Sequence, residues 1–116
     1  MKNNIIKQKS FTFAVSIIRA NKFLLQQKQF IIANQLFRSG TSIGAMVREA
    51  EMAESKKDFI HKMSVALKEA NETDYWIKLI LVDIKDECIL NLQEKCLELI
   101  KILVSIIKTS KRSIYS

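Results

Sequence analysis

The sequence predicts an all-α protein: an antiparallel up-down-up-down four-helix bundle forming a single domain over residues 1–116. The chain has no proline and only two glycines, which nearly excludes an all-β fold because strands need turn residues between them. Apolar residues recur at alternating spacings of three and four, which is typical of helices that pack on helices. The breaks between these stripes are short, as they are in up-down bundles.

The first helix is predicted over about residues 10–26, after a basic segment at residues 1–9 that is expected to fray. Its predicted apolar stripe consists of Phe11, Ala14 or Val15, Ile18 and Leu25. We expect this stripe to pack on the helix that carries the glycines. Residues 27–29, Gln-Lys-Gln, are the best candidate for the first connection, although they include neither glycine nor proline.

The second helix is predicted over about residues 30–54. Its stripe runs without a break through Ile32, Leu36, Ser39, Ile43, Met46, Ala50 and Ala53. Glycine inside a helix costs about 1 kcal/mol relative to alanine, so Gly40 and Gly44 argue locally for a break. The stripe continues on both sides and therefore favours one helix, in which two glycines one turn apart let a neighbouring helix approach closely. Helix packing is assigned to Gly40, Ile43, Gly44, Ala50 and Trp76.

The third helix is predicted over about residues 56–84. Ser55 and Asp58 have the spacing of a capping box, in which two side chains satisfy the free amides at a helix start. The predicted stripe consists of Phe59, Met63, Ala66, Ala70, Thr73, Ile77, Ile80 and Ile84. A second apolar line is interrupted by Asp74. Tyr75 and Trp76 are expected to pack at the edge of the core.

The fourth helix is predicted over about residues 88–109, followed by a loose basic tail. Its stripe consists of Ile89, Leu92, Cys96, Leu99, Leu103 and Ile106, and a second line of Leu90, Leu97, Ile100, Val104 and Ile107. Together the two lines cover more than half of the circumference. One bundle core requires less apolar surface than this, so the excess predicts a subunit interface and a homo-oligomer.

Charge is segregated along the chain, whose formal net charge is +7. Residues 1–48 contain eight basic residues and no acidic one, whereas residues 49–100 contain seven basic and 12 acidic residues. Residues 101–116 contain four basic residues and no acidic one. Such basic segments can bind phosphates with salt-dependent affinity. They can also lie against the acidic segments of the same or another subunit, or simply keep the protein soluble.

No catalytic, metal or cofactor site is predicted, and no small-molecule substrate. Gly40 to Gly44 lacks the Gly-Lys-Ser/Thr ending and preceding strand of a P-loop, and His61, the single histidine, has no orienting partner or nucleophile at a fixed spacing. Di-iron bundles need Glu-x-x-His motifs on two helices. Cys88 and Cys96 are too far apart on one helix for a disulfide. No apolar run is long enough to span a bilayer and no signal peptide is present, so a cytoplasmic location without membrane association is expected.

A long ordered run of residues resembles the four-helix-bundle proteins encoded within intervening sequences of 23S ribosomal RNA. The accessory variability proteins of diversity-generating retroelements look similar as well. The run consists of Arg38 to Ala45, Val47 to Glu51, Ser55, Asp58, Phe59, Ala66 to Ala70 and Glu72 to Trp76. The family usually has asparagine where this chain has Met46. The resemblance implies a bacterial protein that forms a ring-like homopentamer, in which Arg38, Arg48, Glu69 and Glu72 form ion pairs between helices or subunits.

These observations predict a non-enzymatic, oligomeric helical scaffold that binds RNA or DNA through basic surfaces. The residues expected to contact nucleic acid are Arg19, Lys22, Lys28, Arg38 and Arg48, followed by Lys108, Lys111 and Arg112. The alternative is a protein–protein adaptor, for example for a reverse transcriptase, that does not itself touch nucleic acid. Peripheral membrane association through the fourth helix is the least favoured class.

Overall fold

The computed structural model describes residues 2–115, which form four helices in one elongated bundle of 49 × 20 × 20 Å. The helices are α1 (Lys2–Gln26), α2 (Phe30–Glu51), α3 (Lys56–Asp83) and α4 (Glu87–Tyr115). Each helix packs on the next, and α4 returns to pack on α1. The predicted antiparallel up-down-up-down bundle is therefore confirmed, with connections of three or four residues.

The predictions for α1 were wrong in two respects. The helix begins at Lys2 rather than near Ser10, and Ile6 is completely buried. The residues of α1 that face the core are Ile6, Ser10, Phe13, Ile17, Ala20 and Leu24. In the predicted stripe, Phe11, Ile18 and Leu25 are exposed, and Ala14 and Val15 are half-buried. Helix α1 carries two apolar lines of similar spacing, and spacing alone does not say which line faces the core.

The first connection lies at residues 27–29, as predicted. The amide of Gln29 donates to the carbonyl of Leu24 (2.9 Å) and the amide of Lys28 donates to that of Leu25 (3.0 Å), which is the Schellman arrangement at a helix C-terminus. Lys28 has a φ of 59°, in the left-handed region that glycine usually occupies. A lysine therefore occupies the left-handed position of this turn, where glycine would be the best-tolerated residue.

Helix α2 continues through both glycines, as predicted, and packs closely against α1. A β-carbon at Gly44 would lie 3.3 Å from the backbone oxygen of Ser10, and one at Gly40 would lie 2.6 Å from the Ile17 side chain. Ile43 and Ala50 are buried in the core, as predicted. The glycines therefore set the distance between α1 and α2.

The contact between α2 and α3 includes a buried polar pair. Thr73 Oγ1 lies 2.9 Å from Ser39 Oγ, and both residues are inaccessible to solvent. The hydroxyl groups also approach the carbonyl oxygens of Gln35 (from Ser39, 3.0 Å) and Glu69 (from Thr73, 2.8 Å). Met46, which replaces the usual asparagine, is half-buried against the core. Its side chain therefore contributes apolar packing at that position.

Helix α2 ends at Glu51, three residues before the predicted end, whereas α3 begins at Lys56 as predicted. The Asp58 amide donates to Ser55 Oγ (3.1 Å), which confirms the N-cap. The Asp58 carboxylate accepts from the Glu54 amide (3.2 Å) rather than from Ser55 itself. This backbone hydrogen bond lowers the pKa of Asp58 below its ordinary value of 3.8, with further lowering from Lys62 and His61.

The core stripes predicted for α3 and α4 are confirmed. Every member of the α4 stripe is buried, and in α3 only Phe59 and Ile84, at the two ends of its stripe, are half-buried. Helix α4 begins at Glu87 and extends to Tyr115, so the expectation of a loose tail was wrong. Tyr75 is exposed and only Trp76 packs against the core, with the two rings in edge-to-face contact.

Both cysteines are free thiols, as predicted. Cys88 is exposed at the start of α4, whereas Cys96 is buried with its sulfur 3.3 Å from the carbonyl oxygen of Ala70. Burial raises the pKa of Cys96 to about 12, with a further contribution from the negative charge of Asp74. Between residues 2 and 115, no helix has the length and hydropathy needed to span a membrane.

Candidate nucleic-acid interface

The up-down topology brings the two basic ends of the sequence to one end of the bundle. Two contacts between distant parts of the chain establish this. Lys56, at the start of α3, donates to Ser113 Oγ near the end of α4 (3.0 Å). Lys7, in the first turns of α1, pairs with Glu51 at the end of α2 (3.2 Å). All four helices therefore contribute to this end, although their basic residues are far apart in sequence.

We define the basic end as the described residues 4–8, 47–58 and 107–114. It contains seven basic residues and four acidic ones. The basic residues are Lys7, Arg48, Lys56, Lys57, Lys108, Lys111 and Arg112, and the acidic residues are Glu49, Glu51, Glu54 and Asp58. This end carries a net positive charge even after its acidic residues are counted.

Three of the predicted nucleic-acid-binding residues, Arg48, Lys108 and Lys111, are exposed at the basic end. None of the ion pairs formed between residues 4 and 114 involves them. Arg112 lies beside them on α4. Arg112 also lies in the last turn of α4, where positive charge is favoured by the helix dipole. The structure therefore places four of the eight predicted residues at one end of the bundle.

Arg38 has a different environment. Its guanidinium pairs with Glu69 (3.3 Å) and Glu72 across the α2–α3 contact, and also donates to Gln35 Oε1 (3.2 and 3.3 Å). Glu72 in turn accepts a hydrogen bond from Trp76 Nε1 (2.9 Å). Two carboxylates balance the charge of Arg38, which thus joins two helices as the ion-pairing expectation proposed. We therefore omit Arg38 from the proposed interface.

Arg19, Lys22 and Lys28 lie away from the basic end. Lys22 follows Lys7 by 15 residues, or about 22 Å along α1. Arg19 and Lys22 are exposed on α1, and Lys28 forms the turn at the opposite end of the bundle. These three residues therefore do not belong to one surface with Lys108 and Lys111. The basic residues of the first half of the sequence are divided between the two ends of the molecule.

The described titratable and nucleophilic side chains lie in separate places. Among residues 2–115, no three His, Cys, Asp or Glu side chains are grouped so as to hold a metal ion. His61 is exposed and lies near Asp58 and Lys62 on the first turns of α3. Cys96 is protonated at neutral pH because of its raised pKa.

Two apolar surfaces were not predicted from the sequence. One is the outward line of α1, described above. The other, the apolar end, lies opposite the basic end and includes Phe30, Ile31, Leu79 and Val82. Ile31 is 84% exposed and Val82 is 69% exposed. The sequence did contain a signal for both surfaces, because each consists of apolar residues that lie outside the buried stripe of their own helix.

The fold and the charge distribution define a single-domain, up-down four-helix bundle with basic residues gathered at one end. The model of the 23S rRNA-intervening sequence protein family matches residues 2–105, and the chain belongs to this family. A solved structure from Bacteroides thetaiotaomicron, described as a protein of unknown function from the S23 ribosomal protein family, is similar with a TM-score of 0.89. The two sequences are 50% identical over 93% of this chain and 99% of that chain. A search of curated proteins finds no match.

Proposed function

We propose that the protein is a non-enzymatic, oligomeric scaffold that binds nucleic acid through the basic end. The observation that carries this proposal is the convergence of basic residues from all four helices, including Arg48, Lys108 and Lys111. A bundle does not need this arrangement for folding, because these side chains are exposed and outside the core. The proposal includes a cytoplasmic location and no cofactor.

The binding mode follows from the chemistry of the surface. Lysine and arginine side chains that neutralise phosphates release counterions, so affinity falls with salt. The described residues of the basic end, 4–8, 47–58 and 107–114, include no aromatic side chain on which bases could stack. We therefore expect backbone contacts to dominate and sequence selectivity to be low. Several copies in one oligomer would present several basic ends to one nucleic acid. Modest affinity per copy then becomes useful avidity.

Fluorescence anisotropy with a labelled structured RNA, measured over a salt series, tests this proposal. The double variant Lys108→Gln/Lys111→Gln should bind more weakly and lower the slope of log affinity against log salt by about 2. The matched control is Lys68→Gln/Lys85→Gln, which removes the same charge from exposed positions outside the basic end. No binding of the natural protein at low salt would refute the proposal, as would equal losses in both variants.

The second candidate function is a protein–protein adaptor, and the apolar end favours it. Ile31 and Val82 are largely exposed there, beside Phe30 and Leu79. An exposed apolar surface of this kind is common at protein-binding sites. If this function is correct, Ile31→Lys/Val82→Lys abolishes biological activity while Lys108→Gln/Lys111→Gln preserves it. The nucleic-acid proposal requires the opposite result.

A further inference from the structure

The apolar end exposes a group of large apolar side chains beside a groove. Phe30 is 56% exposed and Leu79 is 41% exposed, next to the still more exposed Ile31 and Val82. The groove has a volume of about 430 Å³ and lies between the start of α2 and the end of α3. It is also lined by Ile32, Ile80 and Ile84. Contiguous apolar surface of this kind marks interaction sites on soluble proteins.

Two opposite charges line the same groove. Lys28 lies in the connection before α2, and Asp83 is the last residue of α3. Both side chains are exposed, and neither takes part in an ion pair with another described residue. A partner that covers the groove removes both charges from water. It must therefore supply a negative group for Lys28 and a positive group for Asp83.

The helix ends beside the groove lack the charges that their dipoles favour. The first turn of α2 contains no acidic residue, and its N-cap residue Gln29 forms no side-chain capping hydrogen bond. The last turn of α3 contains no basic residue. Negative charge is favoured at a helix N-terminus and positive charge at a C-terminus. Within one copy, Lys28 instead lies at the start of α2 and Asp83 at the end of α3.

A second copy of this chain supplies both missing charges. A two-fold rotation about an axis across the end of the bundle interchanges the two sides of the contact. It sets Asp83 of the second copy against Lys28 and the start of α2. It also sets Lys28 of the second copy against Asp83 and the end of α3. The groove is therefore complementary to itself in charge, with apolar side chains from both copies between the two pairs.

The two ends of the bundle differ in how strongly they repel their own copies. The basic end contains seven basic and four acidic residues, so two basic ends repel each other. At the apolar end, residues 27–31 and 79–87 contain two basic and three acidic residues, and these charges nearly cancel. Charge therefore opposes contact between copies at the basic end and permits it at the apolar end.

We propose that two copies of this chain dock end to end through their apolar ends, related by this two-fold rotation. The inference deepens the proposed oligomeric scaffold and rests on it. Ile31 and Val82 of both copies are covered, and two ion pairs between Lys28 and Asp83 flank the apolar contact. The basic ends then point in opposite directions, separated by about twice the 49 Å length of one bundle. Such a pair can hold two nucleic-acid segments at once, one at each basic end.

A single contact of this kind is small. The bundle is 20 × 20 Å in cross-section, so each copy contributes about 400 Å², half of the area per partner in a standard interface. The association of two copies is therefore weak and depends on protein concentration. Where several copies belong to one oligomer, several end-to-end contacts form in parallel and strengthen one another.

Sedimentation velocity over a range of protein concentrations tests the end-to-end contact. Ile31→Lys places a charge in the apolar contact and should halve the mass of the largest species. The matched control is Met52→Lys at the basic end, because Met52 is 82% exposed and Ile31 is 84% exposed. Met52→Lys should sediment like the natural protein. Equal masses for the natural protein and Ile31→Lys at every concentration would overturn the proposal, as would an equal loss in Met52→Lys.

Exchange of the two charges tests the two-fold arrangement. Lys28→Glu places like charges opposite each other at both pairs, and so does Asp83→Lys, so each variant alone should associate more weakly than the natural protein. A 1:1 mixture of the two variants restores both ion pairs and should recover the natural mass. A mixture no heavier than the separate variants would contradict the pairing of Lys28 with Asp83.

These measurements are made without nucleic acid, and circular dichroism checks that every variant is folded. All changed residues are exposed. Lys108→Gln/Lys111→Gln should associate normally, because it leaves the apolar end unchanged. If that variant loses RNA affinity while the natural protein and Ile31→Lys have equal masses, the end-to-end contact is wrong and the proposed function stands. A foreign protein at the apolar end, as in the adaptor function, also gives equal masses for these two and overturns the inference.

Discussion

The hydrogen at Gly40 on α2 faces the buried side chain of Ile17 on α1, and a β-carbon there would lie 2.6 Å from both Cγ1 and Cδ1 of that isoleucine. Ile17 is completely buried and cannot move into solvent. At Gly44, one turn later, the nearest atom is the backbone oxygen of Ser10 at 3.3 Å. The two glycines therefore differ in how much a methyl group would displace.

Gly40→Ala should destabilise the protein by up to about 2 kcal/mol. Overpacking of a core costs about 1–3 kcal/mol, and the better helix propensity of alanine recovers only about 1 kcal/mol. Gly44→Ala is the matched control. It should change stability by less than about 1 kcal/mol, because a shift of a few tenths of an ångström relieves its contact. Urea unfolding measures both, and equal effects would contradict this packing argument.

Lys28→Gly should stabilise the protein by about 1 kcal/mol. Lys28 has a φ of 59°, and a left-handed conformation costs a residue with a β-carbon about 1–2 kcal/mol. Part of this gain is offset by the larger conformational entropy of glycine in the unfolded chain. A rise of about 4 °C in thermal midpoint is expected. Lys22→Gly, inside α1, should instead lower the midpoint, and a decrease for both would refute the argument.

Glu72→Ala should destabilise the contact between α2 and α3 by about 1–2 kcal/mol, because hydrogen bonds to charged groups contribute more than neutral ones. The carboxylate accepts from both Arg38 and the indole of Trp76. Partial exposure of Arg38 limits the ion-pair contribution. Tryptophan fluorescence should also change in the folded state, because Trp76 is the only tryptophan. The control variant Lys68→Ala, at an exposed position of the same helix, should change neither the stability nor the tryptophan fluorescence.

Cys88 should react with iodoacetamide in the folded protein, whereas Cys96 should not. The thiolate is the reactive species, and with a pKa of about 12 only about one Cys96 thiol in ten thousand is ionised at pH 8. Raising the pH to 9 increases that fraction about tenfold but leaves the sulfur buried. Mass spectrometry should detect one label in buffer and two in urea. Equal labelling of both cysteines without denaturant would contradict the buried position of Cys96.

Local sequence signals predicted most of α2, α3 and α4. The stripe through Ile43 and Ala50 continued across the glycines, and the Ser55 cap marked the start of α3. The start of α1 was missed because Lys2, Lys7 and Lys9 suggested a frayed segment. Lys7 and Lys9 are exposed on the outer side of the helix, and Ile6, on its inner side, packs in the core. The end of α4 was missed for the same reason, since Lys108, Lys111 and Arg112 were interpreted as a tail.

The candidate interface was less predictable than the fold. Sequence analysis identified Arg48, Lys108 and Lys111 as basic residues, but it grouped Arg48 with Arg19 and Lys22 on their charge alone. Because neighbouring helices run antiparallel, Arg48 lies at the same end of the bundle as Lys108, away from Arg19 and Lys22. Arg38 was included for its charge, although the resemblance also implied ion pairing for Arg38, Glu69 and Glu72. The contact between α2 and α3 shows that these two carboxylates balance its charge.

The sequence by itself determined the helices and the family, because apolar spacing, caps and the absence of proline act over a few residues. Only the tertiary structure decided which of the two apolar lines of α1 is buried and which is exposed. The tertiary structure also decided which charged side chains form ion pairs. Those outcomes depend on distances between helices, such as that between Gly44 and Ser10, and residues far apart in sequence set these distances together.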